Sequence, residues 1–211
     1  FSARKFIEVA TFRSGRSNPT STKGMVLRDN FYGSLEDDVF RRDFTINGLY
    51  FDVQNSEVID YVGGLDDLKK LQINMIGNPS ERFEEDPVRM IRAVRFKAKL
   101  KATIDLNLNK SILNNAHLIE NIPPARLYEE VIKLFHNENS LEVFRELSNL
   151  GILKYLFPQT TEDEFISASL INTSQRIKIG SSVTPAFLFA VFLLFFSAAF
   201  LFSFLASEGL R

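Results

Sequence analysis

The chain has 211 residues and a formal net charge of −1, so it can hold one or two domains with a sizeable core, and its bulk charge points to no nucleic-acid partner. Any basic footprint has to be local. There are no cysteines, which excludes disulfides, thiol catalysis and cysteine-ligated zinc, and the two histidines, His117 and His136, are well separated, which argues against a histidine metal site.

A reducing, cytoplasmic setting fits this composition. The opening FSARKFIEVATF has neither the apolar run nor the small-residue cleavage pattern of a signal peptide. It begins on Phe1 and enters a strand-like pattern almost at once, so the expectation is a segment cut from a longer chain. Phe6 to Phe12 alternates, with Ile7, Val9 and Thr11 on one face, and reads as a strand. Ser14 to Lys23, rich in Ser, Thr, Asn and Gly, reads as a mobile loop, and Gly33 to Asp38 as an acidic turn. Thr45 is expected to cap a short helix through Asn47 to Phe51. Glu57 to Val62 reads as a strand, Gly63-Gly64 as a turn and Leu65 to Leu71 as a short helix. This strand–helix mixture runs to Asn78.

From Ser80 the pattern is helix after helix. Asp86-Pro87 is a start signal, with aspartate as N-cap and proline at the first helical position. Val88, Ile91, Val94 and Ala98 then form one apolar stripe. Pro123-Pro124 opens a helix ending at Phe135. Ser140 to Tyr155 is amphipathic, interrupted near its end by Gly151. Ile179 to Ser207 carries no charge, and Ala186 to Ala206 is apolar except for Ser197 and Ser203, long enough to span a bilayer. Three readings of that tail stay open: a buried helix, aberrant sequence, or a membrane anchor.

Three clusters could carry chemistry. From Arg89 to Lys101 there are six basic residues and no acid. Arg89, Arg92 and Arg95 lie three apart and Lys99 follows by four, one stripe offset from the apolar one. It suits a polyphosphate or an RNA backbone, because guanidinium groups meet phosphate oxygens two at a time. It would equally serve as a solvated face. Asp86 and Arg89, one turn apart, present an acceptor beside a fork of donors, which can bond the Watson–Crick edge of a base. Alternatively Asp86 only caps its helix and Arg89 only pairs with Glu85. Arg41, Arg42 and Asp43 stand before an apolar run. Arginine there could meet phosphates and the carboxylate a sugar hydroxyl or a metal, or the group is an ion pair at a helix entrance.

In order, these pieces resemble the class II nucleotidyltransferases, the family of poly(A) polymerases and CCA-adding enzymes. RRDFTINGL is similar to the family's second motif, DYVGGLDDL to its third, EDPVRMIRAVRF to its fourth and PPARLYEEVIKLF to its fifth. MVLRDNFYGSLEDDVFRRDFTINGLYF resembles the bacterial poly(A) polymerase branch more than the CCA-adding branch. The resemblance implies an α/β remainder of a nucleotidyltransferase head followed by an all-α neck and body. The head would cover 1–78, the neck 79–138, the start of the body 139–190 and an atypical apolar tail 191–211.

It further implies a template-independent RNA nucleotidyltransferase that adds AMP from ATP to RNA 3′ ends. Arg42 would meet the triphosphate. Asp43, with Asn47 nearby, would lie at the active site, and Glu8 would be a further catalytic carboxylate. Asp86 and Arg89 would bond the adenine edge, and Arg92 and Arg95 would extend the positive wall. Lys97, Lys99 and Lys101 would bind RNA. Proteins of the RNA-degradation machinery are further candidate partners, and a membrane is not. The family's first motif, a glycine pair and a strand bearing two carboxylates for magnesium, has no match here. Glu36-Asp37-Asp38 sits in a turn without apolar neighbours. The expectation is therefore a fragment whose magnesium ligands would precede Phe1, with no metal ligand of its own, inactive alone. The rival readings are a CCA-adding enzyme and a non-catalytic RNA-binding remnant.

Overall fold

The computed structural model describes residues 8–14, 32–158, 160 and 162–192, with side chains described to residue 188. Its first regular element is a helix where a turn was expected. α1 (Leu35–Phe40) starts on a capping box: the Ser34 hydroxyl accepts from the Asp37 amide at 3.1 Å, and the Asp37 carboxylate accepts from the Ser34 amide at 2.8 Å. That reciprocal pair satisfies two otherwise orphaned amides, and the sequence offers it as Ser-x-x-Asp.

A 3-10 turn (Thr45–Asn47) follows, then β1 (Leu49–Asp52) and β2 (Glu57–Asp60), an antiparallel hairpin with Leu49 opposite Asp60 and Asp52 opposite Glu57. The expected helix through Phe51 is thus cut short, because Phe51 pairs with Val58 in the ladder. Thr45 does not cap it. Its hydroxyl donates instead to Asp67 Oδ2 at 2.6 Å, tying the turn to α2 (Gly64–Lys70). Asp60 fixes the start of that helix, its carboxylate accepting from the amides of Val62, Gly64 and Leu65. Gly64 has no room for a side chain: a Cβ there would come within 2.2 Å of the Thr45 carbonyl oxygen.

The expected strand from Phe6 is not present among the described residues. Glu8 to Phe12 carries no regular assignment, and among the described residues this segment pairs through a bridge from Arg13 to Tyr32, with the Gly33 amide donating to the Phe12 carbonyl at 3.0 Å. Alternation alone makes no strand where no neighbour supplies a ladder. Phe6 and Ile7, and nearly all of the Ser14–Lys23 loop, lie outside the described residues.

β3 (Gln72–Ile73) pairs in parallel with β4 (Thr103–Ile104), and the crossover between them is α3 (Pro79–Glu85) and α4 (Val88–Leu100). After β4 come α5 (Leu106–Asn115), a 3-10 segment (Ala116–Asn121), α6 (Pro124–Phe135), α7 (Ser140–Asn149), α8 (Leu153–Leu156), α9 (Glu164–Lys178) and α10 (Pro185–Phe192). Gly151, at φ +67°, makes the break between α7 and α8 that the sequence indicated. Such a φ is cheap only for glycine.

α4 is the axis of the fold. Val88, Met90, Ile91, Ala93 and Val94 are all buried, a wider stripe than the sequence suggested, because α3, α6, α7 and β3 pack around it. Its start falls one residue later than expected: Pro87 takes the N-cap position and Val88 is the first helical residue, whose amide donates to Asp86 Oδ1 at 3.2 Å. Most of the 191–211 tail lies outside the described residues; α10 runs to Phe192. Among the described residues no helix is long and apolar enough to cross a membrane.

Candidate nucleotide site

The site forms where the 41–47 segment meets the N-terminal half of α4. Asp43 is held in place by its own backbone: its carbonyl accepts from the Ile76 amide at 2.8 Å, and the next residue, Phe44, bridges to Met75. The Phe44 ring is fully buried and meets Phe96 of α4 edge-on at 5.7 Å. This contact brings α4 against the segment that carries the arginine pair.

The Asp43 carboxylate is 8% exposed and fully engaged. Oδ1 accepts from the Phe44 amide (2.9 Å) and Asn47 Nδ2 (2.8 Å), and Oδ2 accepts from Arg92 Nε at 2.6 Å. Burial alone would push this carboxyl up. The Asn47 hydrogen bond and the Arg92 charge outweigh it and hold it below the usual range, so it is ionised at neutral pH.

Arg42 is oriented by a neighbour that the sequence reading treated only as part of an acidic string. The Asp38 side chain is 3% exposed. It accepts from the Arg13 amide (3.0 Å), Arg41 Nε (2.7 Å), Arg42 Nε and NH2 (3.2 and 3.0 Å) and the Tyr50 hydroxyl. Burial opposes its charge, but these donors win and hold the Asp38 carboxyl far below the ordinary value. Arg42 also donates to Tyr50 Oη (3.0 Å) and the Asn47 carbonyl (3.1 Å), so its guanidinium has one defined place.

On the α4 side, Arg89 NH1 donates to Glu85 Oε2 at 2.8 Å and to the Arg82 carbonyl at 2.7 Å. Asp86 Oδ2 accepts from Arg126 of α6 at 2.7 Å. The bland partners foreseen for both residues are therefore real. They leave Arg89 with Nε and NH2, and each Asp86 oxygen with a further lone pair, for a ligand. Arg126, forty residues away in sequence, gave no signal as a partner of Asp86.

Together these residues line a cleft of about 470 Å³: Arg41, Arg42, Asp43, Asn47, Asp86, Val88, Arg89, Arg92, Phe96, Arg126 and Glu130. Five arginines face three carboxylates, so the cleft favours a polyanion whose other end offers neutral hydrogen-bonding groups. Arg95 is not in it. It packs over Phe96 at 5.1 Å, approaches Glu130 at 3.8 Å and lines an adjoining cleft of about 660 Å³ with Lys99, Lys101, Lys133 and His136. Lys97 pairs with Glu146 at 2.6 Å. Glu8 is exposed on the extended segment and lines neither cleft.

The described residues do not fit a divalent cation. The Arg92 cation against Asp43 disfavours a second cation there, and no cluster of three or more His, Asp or Glu side chains able to hold a metal occurs among the described residues.

Comparison with known proteins bears on this geometry. Residues 1–74 match the model of the poly A polymerase head domain, and residues 103–164 match that of the "Probable RNA and SrmB-binding site of polymerase A". The chain is 44% identical over 204 residues to poly(A) polymerase I of Salmonella typhi, covering 88% of this chain and 44% of that protein. It is 41% identical over 206 residues to poly(A) polymerase I of Haemophilus influenzae, covering 90% and 46%. A CCA-adding enzyme of Limosilactobacillus reuteri is 42% identical over 141 residues, 67% of this chain and 35% of that one. Among solved structures, the Bacillus stearothermophilus CCA-adding enzyme in complex with CTP superposes with a TM-score of 0.66 at 28% identity, over 82% of this chain and 44% of that one. The chain thus spans less than half the length of the poly(A) polymerases it matches.

Proposed function

Because the chain belongs to the family of poly(A) polymerases and CCA-adding enzymes, we propose that it is the nucleotide-selecting and RNA-binding part of a template-independent polymerase that adds AMP to RNA 3′ ends. In that reaction the RNA 3′ hydroxyl attacks the α-phosphorus of ATP. A new P–O bond forms, the bond to the bridging oxygen breaks, and pyrophosphate leaves. The single observation that carries the reading is the cleft itself: Arg42, fixed by Asp38, stands across from Asp86 and Arg89, a cation for phosphates facing an acceptor and donors for a base edge.

Each residue has a proposed task. Arg42 and Arg92 bind the triphosphate. Asp43, with Asn47 fixing its orientation, lies beside the sugar. Asp86 accepts from the adenine amino group, and Arg89 donates to a ring nitrogen. Arg95, Lys99 and Lys101 continue the positive surface along α4 and suit an RNA backbone. Lys97 contributes there only when it leaves Glu146. The catalytic role expected of Glu8 finds no support in its position. Divisions at 78, 138 and 190 are kept as the proposed head, neck and body boundaries. Cytoplasmic RNA ends and magnesium use are part of the proposal at the level of the family, and the described residues are assigned no part in holding the metal.

Primer extension tests the reading. The chain is offered ATP with oligo(A), and CTP plus ATP with a tRNA lacking its terminal CCA, in magnesium. We expect ATP to bind and neither acceptor to grow. Repeated AMP addition would support the polymerase branch while contradicting the absence of a working metal site. Growth that stops on completing the tRNA end would move the assignment to the CCA-adding branch.

A further inference from the structure

Arg82 lies outside the cleft yet touches both of its walls. Its side chain, 13% exposed, sits in the last turn of α3. NH2 donates to the carbonyls of Arg41 (2.7 Å) and Arg42 (2.6 Å), forty-one and forty residues back in the chain. NH1 donates to Glu85 Oε2 at 2.6 Å, and the same oxygen accepts from Arg89 NH1 at 2.8 Å. Arg89 NH1 returns to the Arg82 carbonyl at 2.7 Å. One guanidinium therefore joins the backbone of the arginine pair to the side chain of Arg89, through two carbonyls on one side and a shared carboxylate on the other.

We infer that Arg82 is a positioning residue that fixes the distance between the phosphate-binding turn and the base-reading pair, and so sets nucleotide selectivity. The inference rests on the proposed nucleotide site. A ligand held at both ends gains from two subsites only if their separation is preset; otherwise the second contact costs ordering. Arg92 also joins these walls, through Asp43, but Arg82 holds the backbone of the arginine pair itself. The guanidinium meets the two carbonyls with one nitrogen and the carboxylate with another, whereas a lysine would have to reach all three acceptors from a single nitrogen. Burial and the nearby Arg89 charge both disfavour the Arg82 cation, and Glu85 works against them. The strap is thus held by its acceptors.

Local sequence carries little sign of this role. In SERFEED a lone arginine among acids reads as a neutralised surface. Only the fold brings the Arg41 and Arg42 carbonyls to it.

The test titrates the chain, its Arg82→Lys variant and its Glu85→Gln variant with ATP, CTP and inorganic tripolyphosphate by calorimetry. Glu85→Gln removes the charge from the link to Arg89 at a side chain that is 54% exposed, so it keeps the test informative should Arg82→Lys fail to fold. We expect both variants to bind ATP about tenfold more weakly and to lose the preference for ATP over CTP by a similar factor, with tripolyphosphate affinity within about twofold of the parent. Variants that keep the parental ATP-to-CTP ratio would overturn the inference, reducing Arg82 to a fold strut. Tripolyphosphate affinity falling in step with ATP would also overturn it. A parent chain that binds tripolyphosphate but does not prefer ATP would refute base reading by Asp86 and Arg89, and the coupling with it.

Discussion

The two halves of α4 carry the same charge and meet different company. In the first, Arg89 pairs with Glu85 and Arg92 with Asp43 in or beside the cleft, while Arg95, where the halves meet, approaches Glu130 from the adjoining cleft. In the second, Lys97 pairs with Glu146, while Lys99 and Lys101 are exposed and make no ion pair among the described residues. Rigid forks in a half-buried cleft can discriminate one ligand from another. Solvated point charges on long stems attract any polyanion and read nothing. On the proposed function, the helix divides its basic stripe between selecting a nucleotide and holding an RNA chain.

The sharpest way to break this comparison is to remove one carboxylate from each half. Asp43→Ala leaves Arg92 facing an empty buried site and is expected to cost about 2–3 kcal/mol in urea unfolding. Glu146→Ala, which frees Lys97, should cost under about 1 kcal/mol. Equal losses would mean that the halves do not differ. Next comes acid. The Asp38 and Asp43 carboxyls are held below their usual range when folded. Their stabilisation is complete above about pH 5, past the unfolded carboxylate value, and is lost as pH falls through the folded values. Asp38→Asn should therefore flatten the decline in urea midpoint below about pH 4, and an unchanged decline would remove Asp38 as the anchor of Arg42. The smallest effect lies in the lysine half. Lys101 sits at φ +52°, which asparagine tolerates, so Lys99→Ala with Lys101→Asn should fold normally. It should lower the salt slope of oligo(A) binding by about 1.4, with ATP affinity unchanged.

The lysine half of α4 was plainer in the sequence than the supports of the cleft. Arg42, Asp43, Asn47, Asp86, Arg89 and Arg92 could be named because each lies in a contiguous motif, and the fold gathers all six into one cleft. Their supports could not be named. Asp38 looked like part of an acidic turn until the Ser34 capping box made it a helix whose buried face points at Arg42. Arg126 and Arg82 act across gaps of forty residues or more, and local spacing carries no such information. Arg95 was misplaced by one helical turn's reasoning. It packs over Phe96, approaches Glu130 and lines the adjoining cleft instead. Glu8 differs: its place rested on alternation read as a strand, and no strand partner is present among the described residues.

Hydrogen exchange with each ligand in turn tests the division of α4 most directly. With ATP, the account predicts slowed exchange at residues 41–48 and 85–92, leaving 96–102 unchanged. With oligo(A), it predicts the reverse, extended to residues 132–139 beside Lys99 and Lys101. Slowing by ATP along the lysine half, or by oligo(A) over 41–48 and 85–92 alone, would contradict it.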